Sequence, residues 1–174
     1  CRPFYNSFVS TFSSEIISNK IPKIEKDKEL SLIYVGDVMD ILIRIINSDI
    51  EISFQENIYI KKVSTVLSKL LMFRDEYIKR GIIPDIKSHF DLCLFNTFRS
   101  YINHQKFFPK KYNNFIDGRG SFTELTRCNS GGQSSFSITN MNITRGNHFH
   151  TRKIERFSII KGKAIIRLRE VLSN

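Results

Sequence analysis

The spacing of hydrophobic residues along the chain changes near residue 109. Before this point, apolar residues recur at steps of three and four, which is typical of helices with one buried face. After it, short strand-like segments are separated by glycine turns. The pattern predicts helices over 6–19, 38–47, 64–80 and 88–101, and strands over 30–35, 54–60, 157–160 and 164–169. We therefore predict an α/β part over residues 1–109 and an all-β part over residues 110–174.

Several predicted helix ends carry residues that favour them. Asp37 and Ser88 can each cap a helix through a side-chain oxygen, and Gly81 suits a left-handed helix end. Asn6 could serve as a cap in the same way. The helix over 38–47 has apolar residues around most of its surface, so we expect it to be largely buried.

The segment from Arg145 to Gly162 holds the densest set of residues suited to chemistry. His148 and His150 are separated by one residue, so in a strand both imidazoles leave the same face. Glu155 follows after a stretch long enough for a tight turn to return its carboxylate to them. Two imidazoles and a carboxylate suit a borderline divalent metal with positions left open for substrate. The alternative is that these are exposed strand histidines with no ligand role.

Composition and charge narrow the function classes. The formal net charge is +10, but the basic residues are dispersed, so we discount nucleic acid as the main partner and expect attraction for anionic small molecules. Three cysteines with no metal-finger spacing favour a reduced, cytoplasmic setting. The sequence has no apolar run long enough to span a membrane. His89 and His104 have no partner at a ligand spacing, and we interpret them as surface or helix-end histidines.

The histidine segment has a family resemblance. Its pattern H-x-H-x4-E-x6-G resembles the first metal motif of the cupins, which are small double-stranded β-helix barrels. The family usually has a glycine six residues before the first histidine, and Asn142 stands there. Asparagine is the next-best residue for a left-handed turn. The resemblance implies that His148, His150 and Glu155 bind a metal, most simply Zn²⁺.

The rest of the chain also resembles a known arrangement. The segments RPFYNSFVSTF (residues 2–12) and LIYVGDV (residues 32–38) resemble the C-terminal substrate-binding part of an extended short-chain dehydrogenase/reductase. The segments over 95–101, 117–124 and 145–150 continue the similarity. Their order resembles the bifunctional capsular-polysaccharide enzymes that join a reductase domain to a cupin domain. The fold implied is an α/β reductase remnant followed by an incomplete all-β cupin.

This resemblance implies sugar-nucleotide processing. The family's cupin domain inverts C3 of a UDP-linked N-acetylated 4-keto-6-deoxy sugar, and its reductase domain reduces the ketone with NADPH. The sequence contains no glycine-rich dinucleotide motif and no tyrosine followed four residues later by lysine. The second cupin motif is also absent. We therefore expect the middle of a longer enzyme, with the NADPH site outside this chain.

Other residues are assigned supporting roles. Lys153 and His148 are candidates for acid–base chemistry, although a solvated surface lysine is the alternative for Lys153. Arg119 and Arg145 precede turn glycines and could reach a diphosphate or carbonyl oxygen, or else form salt bridges with Asp117 or Glu124. The remaining substrate-binding candidates are Arg2, Asn6 and Gln133.

Two other classes of function stay open. One is a non-catalytic metal-binding or sugar-nucleotide-binding remnant, and the other is a basic nucleic-acid-binding module. Strongly salt-dependent binding to nucleic acid would support the latter. An incomplete barrel also exposes strand edges, which favours pairing with another copy of the chain as a homodimer.

Overall fold

The computed structural model of the protein describes residues 2–47, 57–151 and 153–170. The helical part contains α1 (Phe8–Ile17), β1 (Glu29–Leu32), α2 (Val35–Asn47), β2 (Tyr59–Lys62), α3 (Val63–Phe73), a π-helical segment (Arg74–Lys79), β3 (Ile82–Ile83), α4 (His89–Arg99) and α5 (His104–Phe107). Three strands follow: β4 (Asn114–Asp117), β5 (Gly120–Cys128) and β6 (Gln133–Thr139). The fold is therefore mixed α/β with small sheets, as the change in hydrophobic spacing predicts.

The core lies where α1, α3 and α4 pack together. Their apolar faces supply ten fully or nearly buried side chains: Phe12, Ile16, Val63, Val66, Leu70, Phe73, Phe90, Leu94, Phe95 and Phe98. Phe73 is at the centre, with its ring centroid 4.9 Å from that of Phe95 and 6.0 Å from that of Phe98. Rings at this separation attract each other in addition to their burial. The three- and four-residue spacing in the sequence thus identifies the core face of these helices.

Local signals at the helix ends are only partly confirmed. The Ser88 hydroxyl accepts a hydrogen bond from the Asp91 N–H at 3.1 Å, and Gly81 adopts a φ of 68°, as predicted. The prediction for Asn6 as a cap is wrong, because Ser7 caps α1 and Asn6 lies before it with a φ of 51°. Asp37 is not a cap either, because α2 already begins at Val35.

The expectation that α2 is largely buried is also wrong. In this helix Ile41 is 3% exposed, whereas Ile43 and Ile46 are 50% and 81% exposed. Apolar residues surround the helix, and a helix packed along a single face can bury only one stripe of them. The part of the strand predicted over 54–60 that precedes residue 57 lies outside the described residues.

Two small sheets complete the described fold. β1 and β2 pair antiparallel, with Glu29 opposite Lys62. β5 is the centre of the other sheet, pairing antiparallel with β4 and β6 and parallel with β3. Because β3 comes before residue 109 and β5 after it, this sheet connects the helical part to the strands that follow. No helix in the described ranges is both long and apolar enough to cross a membrane.

The strands predicted over 157–160 and 164–169 are not present. Residues 153–170 form neither helix nor strand, and their apolar side chains are exposed, including Ile154 at 98% and Leu168 at 90%. A strand needs a neighbouring strand to satisfy its backbone groups. The hydrophobic pattern indicates the tendency to extend, but it does not supply that neighbour. Gly162 adopts a φ of 90°, in agreement with the turn predicted there.

Candidate metal centre

The segment carrying the two histidines follows β6 through a series of turns. Asn142 has a φ of 59° and Asn147 a φ of 58°, and Gly146 between them has a φ of 93°. These are left-handed conformations, which asparagine and glycine adopt at low cost. His148 and His150 are therefore in irregular chain, so strand alternation is not the reason that their side chains meet.

The three predicted ligands nevertheless converge. The imidazole centroids of His148 and His150 are 4.8 Å apart. The distance from His150 Nε2 to Glu155 Oε1 is 3.3 Å. One ligand atom from each of the three residues lies within 4.8 Å of the other two. This spacing suits a single cation held between them.

A lysine shares the carboxylate of this set. Lys153 Nζ is 2.7 Å from Glu155 Oε1, the same oxygen that faces His150. The hydrogen bond from the Lys153 ammonium is the main reason that the pKa of Glu155 lies below its ordinary value. The carboxylate is therefore ionised at neutral pH, as a metal ligand must be. Lys153 also lines a shallow cleft with Phe149, His150 and Thr151.

The donor set fits a divalent transition metal. Two imidazole nitrogens and one carboxylate oxygen are typical of zinc sites that keep one position open for water or substrate. All three residues are on the surface, so both a cation and a substrate can approach. The arrangement can therefore hold a metal and expose it to a ligand.

Arg119 forms the salt bridge that the sequence left as an alternative. Its Nε is 3.0 Å and its Nη2 is 2.6 Å from Asp117 Oδ2. These bonds hold the pKa of Asp117 below its ordinary value and raise that of Arg119. Arg145 instead donates from Nη1 to the Ser121 carbonyl at 3.3 Å. Neither guanidinium contacts a histidine of the metal set through a described bond.

The other substrate-binding candidates lie in different surroundings. Gln133 donates a hydrogen bond to Glu124, which also accepts two bonds from Arg127 at 3.0 and 2.6 Å. Arg2 and Asn6 are exposed in the turn before α1. The structure therefore brings together His148, His150, Lys153 and Glu155 from the predicted site.

A second set of metal-binding residue types lies in the helical part. Asp37, His89 and Cys93 place one ligand atom each within 4.8 Å of the other two. His89 and Cys93 are four residues apart on α4, a spacing that puts both side chains on one helix face. The sequence shows that spacing, but Asp37 joins it only through the packing of α2. His89 is an exposed residue at the start of α4, as predicted, but the statement that it has no partner at a ligand spacing is wrong.

Comparison with known proteins agrees with the family resemblance that the sequence motifs indicate. Residues 115–174 match the family model of the polysaccharide biosynthesis C-terminal domain. The chain as a whole resembles enzymes of capsular polysaccharide biosynthesis that act on nucleotide sugars. The resemblance predicted from the sequence is thus confirmed.

Particular relatives can be named. The chain is 30% identical over 176 residues to the UDP-2-acetamido-2,6-beta-L-arabino-hexul-4-ose reductase of Pseudomonas aeruginosa, covering 99% of this chain and 47% of the relative. It is 28% identical to the capsular polysaccharide assembling protein CapF of Staphylococcus aureus, with a TM-score of 0.73, over 84% of this chain and 41% of CapF. For CapF with the inhibitor 3-isopropenyl-tropolone, the identity is 29% and the TM-score 0.74, over 87% of this chain and 46% of CapF. The chain thus spans a little less than half the length of these relatives.

Proposed function

We propose that this chain is the C3-epimerising portion of a bifunctional reductase–epimerase that acts on a UDP-linked N-acetylated 4-keto-6-deoxy sugar in surface-polysaccharide synthesis. In this proposal residues 1–109 are the remnant of a reductase substrate domain and residues 110–174 are the first part of a cupin. The observation that carries the proposal is the convergence of His148, His150 and Glu155 within 4.8 Å. Reduction with NADPH is assigned to sequence outside this chain.

The named relative supports the substrate class. Its name describes a UDP-linked amino sugar with a ketone at C4. A proton on a carbon next to a ketone is acidic enough to be removed by a positioned base when the developing oxyanion is stabilised. Epimerisation breaks a C–H bond and remakes it on the other face, so it consumes no co-reactant. A site with a base and an acid is sufficient.

The residues of the cleft can supply those two roles. Lys153 holds a proton at Nζ beside Glu155 and can return it to carbon, while the imidazole of His148 can accept one when it is neutral and not bound to the cation. His150 and Glu155 would then hold the cation, and His148 would join them as a ligand when it is not the base. A divalent cation bound there supplies positive charge that polarises a carbonyl oxygen.

The CapF inhibitor offers independent support for a metal. A tropolone carries a carbonyl and a hydroxyl oxygen on adjacent carbons, and two such oxygens can bind one divalent cation together. The same chemistry would suit an open metal position beside His150. We therefore expect tropolones to compete with the keto sugar at this site.

Loss of the C3 proton in D₂O tests the proposal. The chain is loaded with one equivalent of Zn²⁺, mixed with the UDP-linked 2-acetamido-2,6-dideoxy-4-keto sugar, and followed by proton NMR. We expect the C3 signal to disappear with the native chain and with His104→Gln, which changes an exposed histidine on α5. Glu155→Gln and His150→Ala should slow the exchange at least about a hundredfold, because each removes a ligand.

The possible outcomes separate the alternatives. Zinc bound by the native chain without any exchange would contradict the epimerase proposal and favour a non-catalytic binding remnant. Absence of stoichiometric zinc at these residues would contradict the metal centre itself. Exchange that continues unchanged in both ligand variants would show that the chemistry lies elsewhere.

A further inference from the structure

The start of α2, strand β2 and helix α4 meet at a cluster that the proposed function does not use. His89 Nε2 is 3.9 Å from Asp37 Oδ1, and Cys93 Sγ is 3.6 Å from Nδ1 and 3.7 Å from Nε2 of the same imidazole. The hydroxyl of Tyr59 is 2.8 Å from His89 Nδ1. A carboxylate, an imidazole and a thiol from two helices are thus brought to one point.

The spacing of these atoms matches a tetrahedral metal site. Zinc binds sulfur at about 2.3 Å and nitrogen or oxygen at about 2.0–2.2 Å, so ligand atoms around it are about 3.4–3.6 Å apart. The two separations from His89 Nε2, 3.7 Å to Cys93 Sγ and 3.9 Å to Asp37 Oδ1, are within about half an ångström of that range. Because Cys93 Sγ is almost equally far from both ring nitrogens, a cation on Nε2 requires the His89 ring or the Cys93 side chain to turn.

Asp37 supplies a second, independent indication. This residue is 9% exposed, and its Oδ2 atom is buried without a hydrogen-bond partner among the described residues. A buried carboxylate oxygen without a partner is costly, because it loses its hydration and gains nothing in return. The basic nitrogen that the described structure places beside it, His89 Nε2, is beyond hydrogen-bonding distance from Oδ1. A cation at the cluster would compensate the buried charge.

We propose that Asp37, His89 and Cys93 form a structural binding site for one Zn²⁺-like divalent cation. A mixed sulfur, nitrogen and oxygen set favours a borderline metal over Mg²⁺ or Ca²⁺, which prefer oxygen alone. Water completes the coordination, because the His89 side chain is half exposed and opens the cluster to solvent.

Tyr59 has a positioning role at this site. A hydrogen bond from His89 Nδ1–H to the tyrosine hydroxyl leaves the Nε2 lone pair free, and Nε2 is the nitrogen that faces Asp37. Metal-binding histidines are commonly held in this way by a partner on the other ring nitrogen. The bound cation would tie the beginning of α2 to α4, and α2 is the helix with the most exposed apolar surface described above.

Titration with Co²⁺ tests the site separately from the histidine set of the proposed function. Cobalt bound to a thiolate gives a sulfur-to-metal charge-transfer absorption in the near ultraviolet, and the set of His148, His150 and Glu155 contains no sulfur. We expect the band in the native chain, in Cys128→Ser and in His104→Gln. It should disappear in Cys93→Ser, and His89→Gln should weaken cobalt binding at least about tenfold.

Two further measurements keep the test decisive. Because Cys93 is buried, circular dichroism must show that Cys93→Ser is folded, and His89→Gln provides a variant at an exposed position if it is not. Tyr59→Phe should weaken cobalt binding while keeping the charge-transfer band, since it removes an orienting bond and no ligand. Absence of the band in the native chain, or its persistence in folded Cys93→Ser, would overturn the proposal. Neither result would bear on the exchange reaction at the other site.

Discussion

Replacing Lys153 by methionine measures how strongly its ammonium competes with a cation for Glu155. Lys153 Nζ is 2.7 Å from Glu155 Oε1, and a zinc ion bound to that oxygen at about 2.1 Å would lie within about 5 Å of the ammonium. Unit and double positive charges at this separation repel each other even in a water-like medium. Methionine keeps most of the side-chain length and removes the charge, so Lys153→Met should tighten zinc binding.

The gain in zinc affinity of Lys153→Met should depend on the salt concentration. Coulomb repulsion between charges of +1 and +2 at about 5 Å, screened with a Debye length of about 30 Å in 0.01 M salt, corresponds to about a tenfold change in affinity. At 1 M salt the Debye length is about 3 Å, and the gain should fall to about twofold. This dependence distinguishes charge repulsion from a change in the shape of the site.

The assay is competition for Zn²⁺ against a chromophoric chelator at both salt concentrations. It is performed in the Cys93→Ser background, so that the sulfur-containing cluster does not contribute. Lys79→Met is the matched control, because Lys79 is similarly exposed and also paired with a carboxylate, Asp75, at 2.9 Å. Weaker zinc binding in Lys153→Met, or an equal increase in zinc affinity in both lysine variants, would refute charge repulsion by Lys153.

Three further predictions concern stability. Phe73→Ala removes a fully buried ring at the centre of the core and should lower the free energy of unfolding by about 3–5 kcal/mol in urea titrations followed by circular dichroism. Unchanged stability would mean that the three helices do not pack as described. Gly120→Ala would place a Cβ 2.0 Å from the Ile138 carbonyl oxygen at a φ of 129°, so it should cost at least about 2 kcal/mol in the same assay and perturb the strand signals. The side-chain bond from Arg74 lowers the pKa of Asp75 to about 2 in the folded chain. A depressed carboxyl pKa stabilises the fold above the unfolded value of 3.8, and that contribution is lost as the pH falls toward 2. Asp75→Asn should therefore flatten the stability profile between about pH 4 and 2 by less than about 1 kcal/mol, since the Asp75 side chain is about half exposed, and a profile as steep as that of the native chain would contradict it.

The helices were the most predictable part of the fold because their signals are local. The cap at Ser88 and the left-handed residue Gly81 each act within one turn of the chain, and the sequence shows both partners. The exposed side of α2 was not predictable in this way. Whether Ile46 is covered depends on what packs against it, which hydrophobicity alone does not specify.

The strand predictions near the end of the chain were wrong for a related reason. An alternating segment such as 157–160 forms a strand only when another segment satisfies its N–H and C=O groups. In the described structure these residues have no such neighbour, whereas β5 has three. The strands predicted over 30–35 and 54–60 overlap β1 and β2, which pair although they are far apart along the chain, so the presence of a partner decides the outcome.

The two candidate metal sets show what a local motif can and cannot specify. His148, His150 and Glu155 lie within eight consecutive positions, so the local conformation of this stretch is enough to gather them even though the expected strand is absent. The motif is recognised from the order and spacing of its residues. It can therefore be correct even where the predicted secondary structure is wrong. The Asp37 cluster depends instead on α2 meeting α4 across about fifty residues of chain. Its only sequence trace is the four-residue step from His89 to Cys93, which many helices carry without binding anything. The buried Asp37 carboxylate, which only the tertiary structure reveals, is what makes the His89–Cys93 pair a candidate metal site that can be tested.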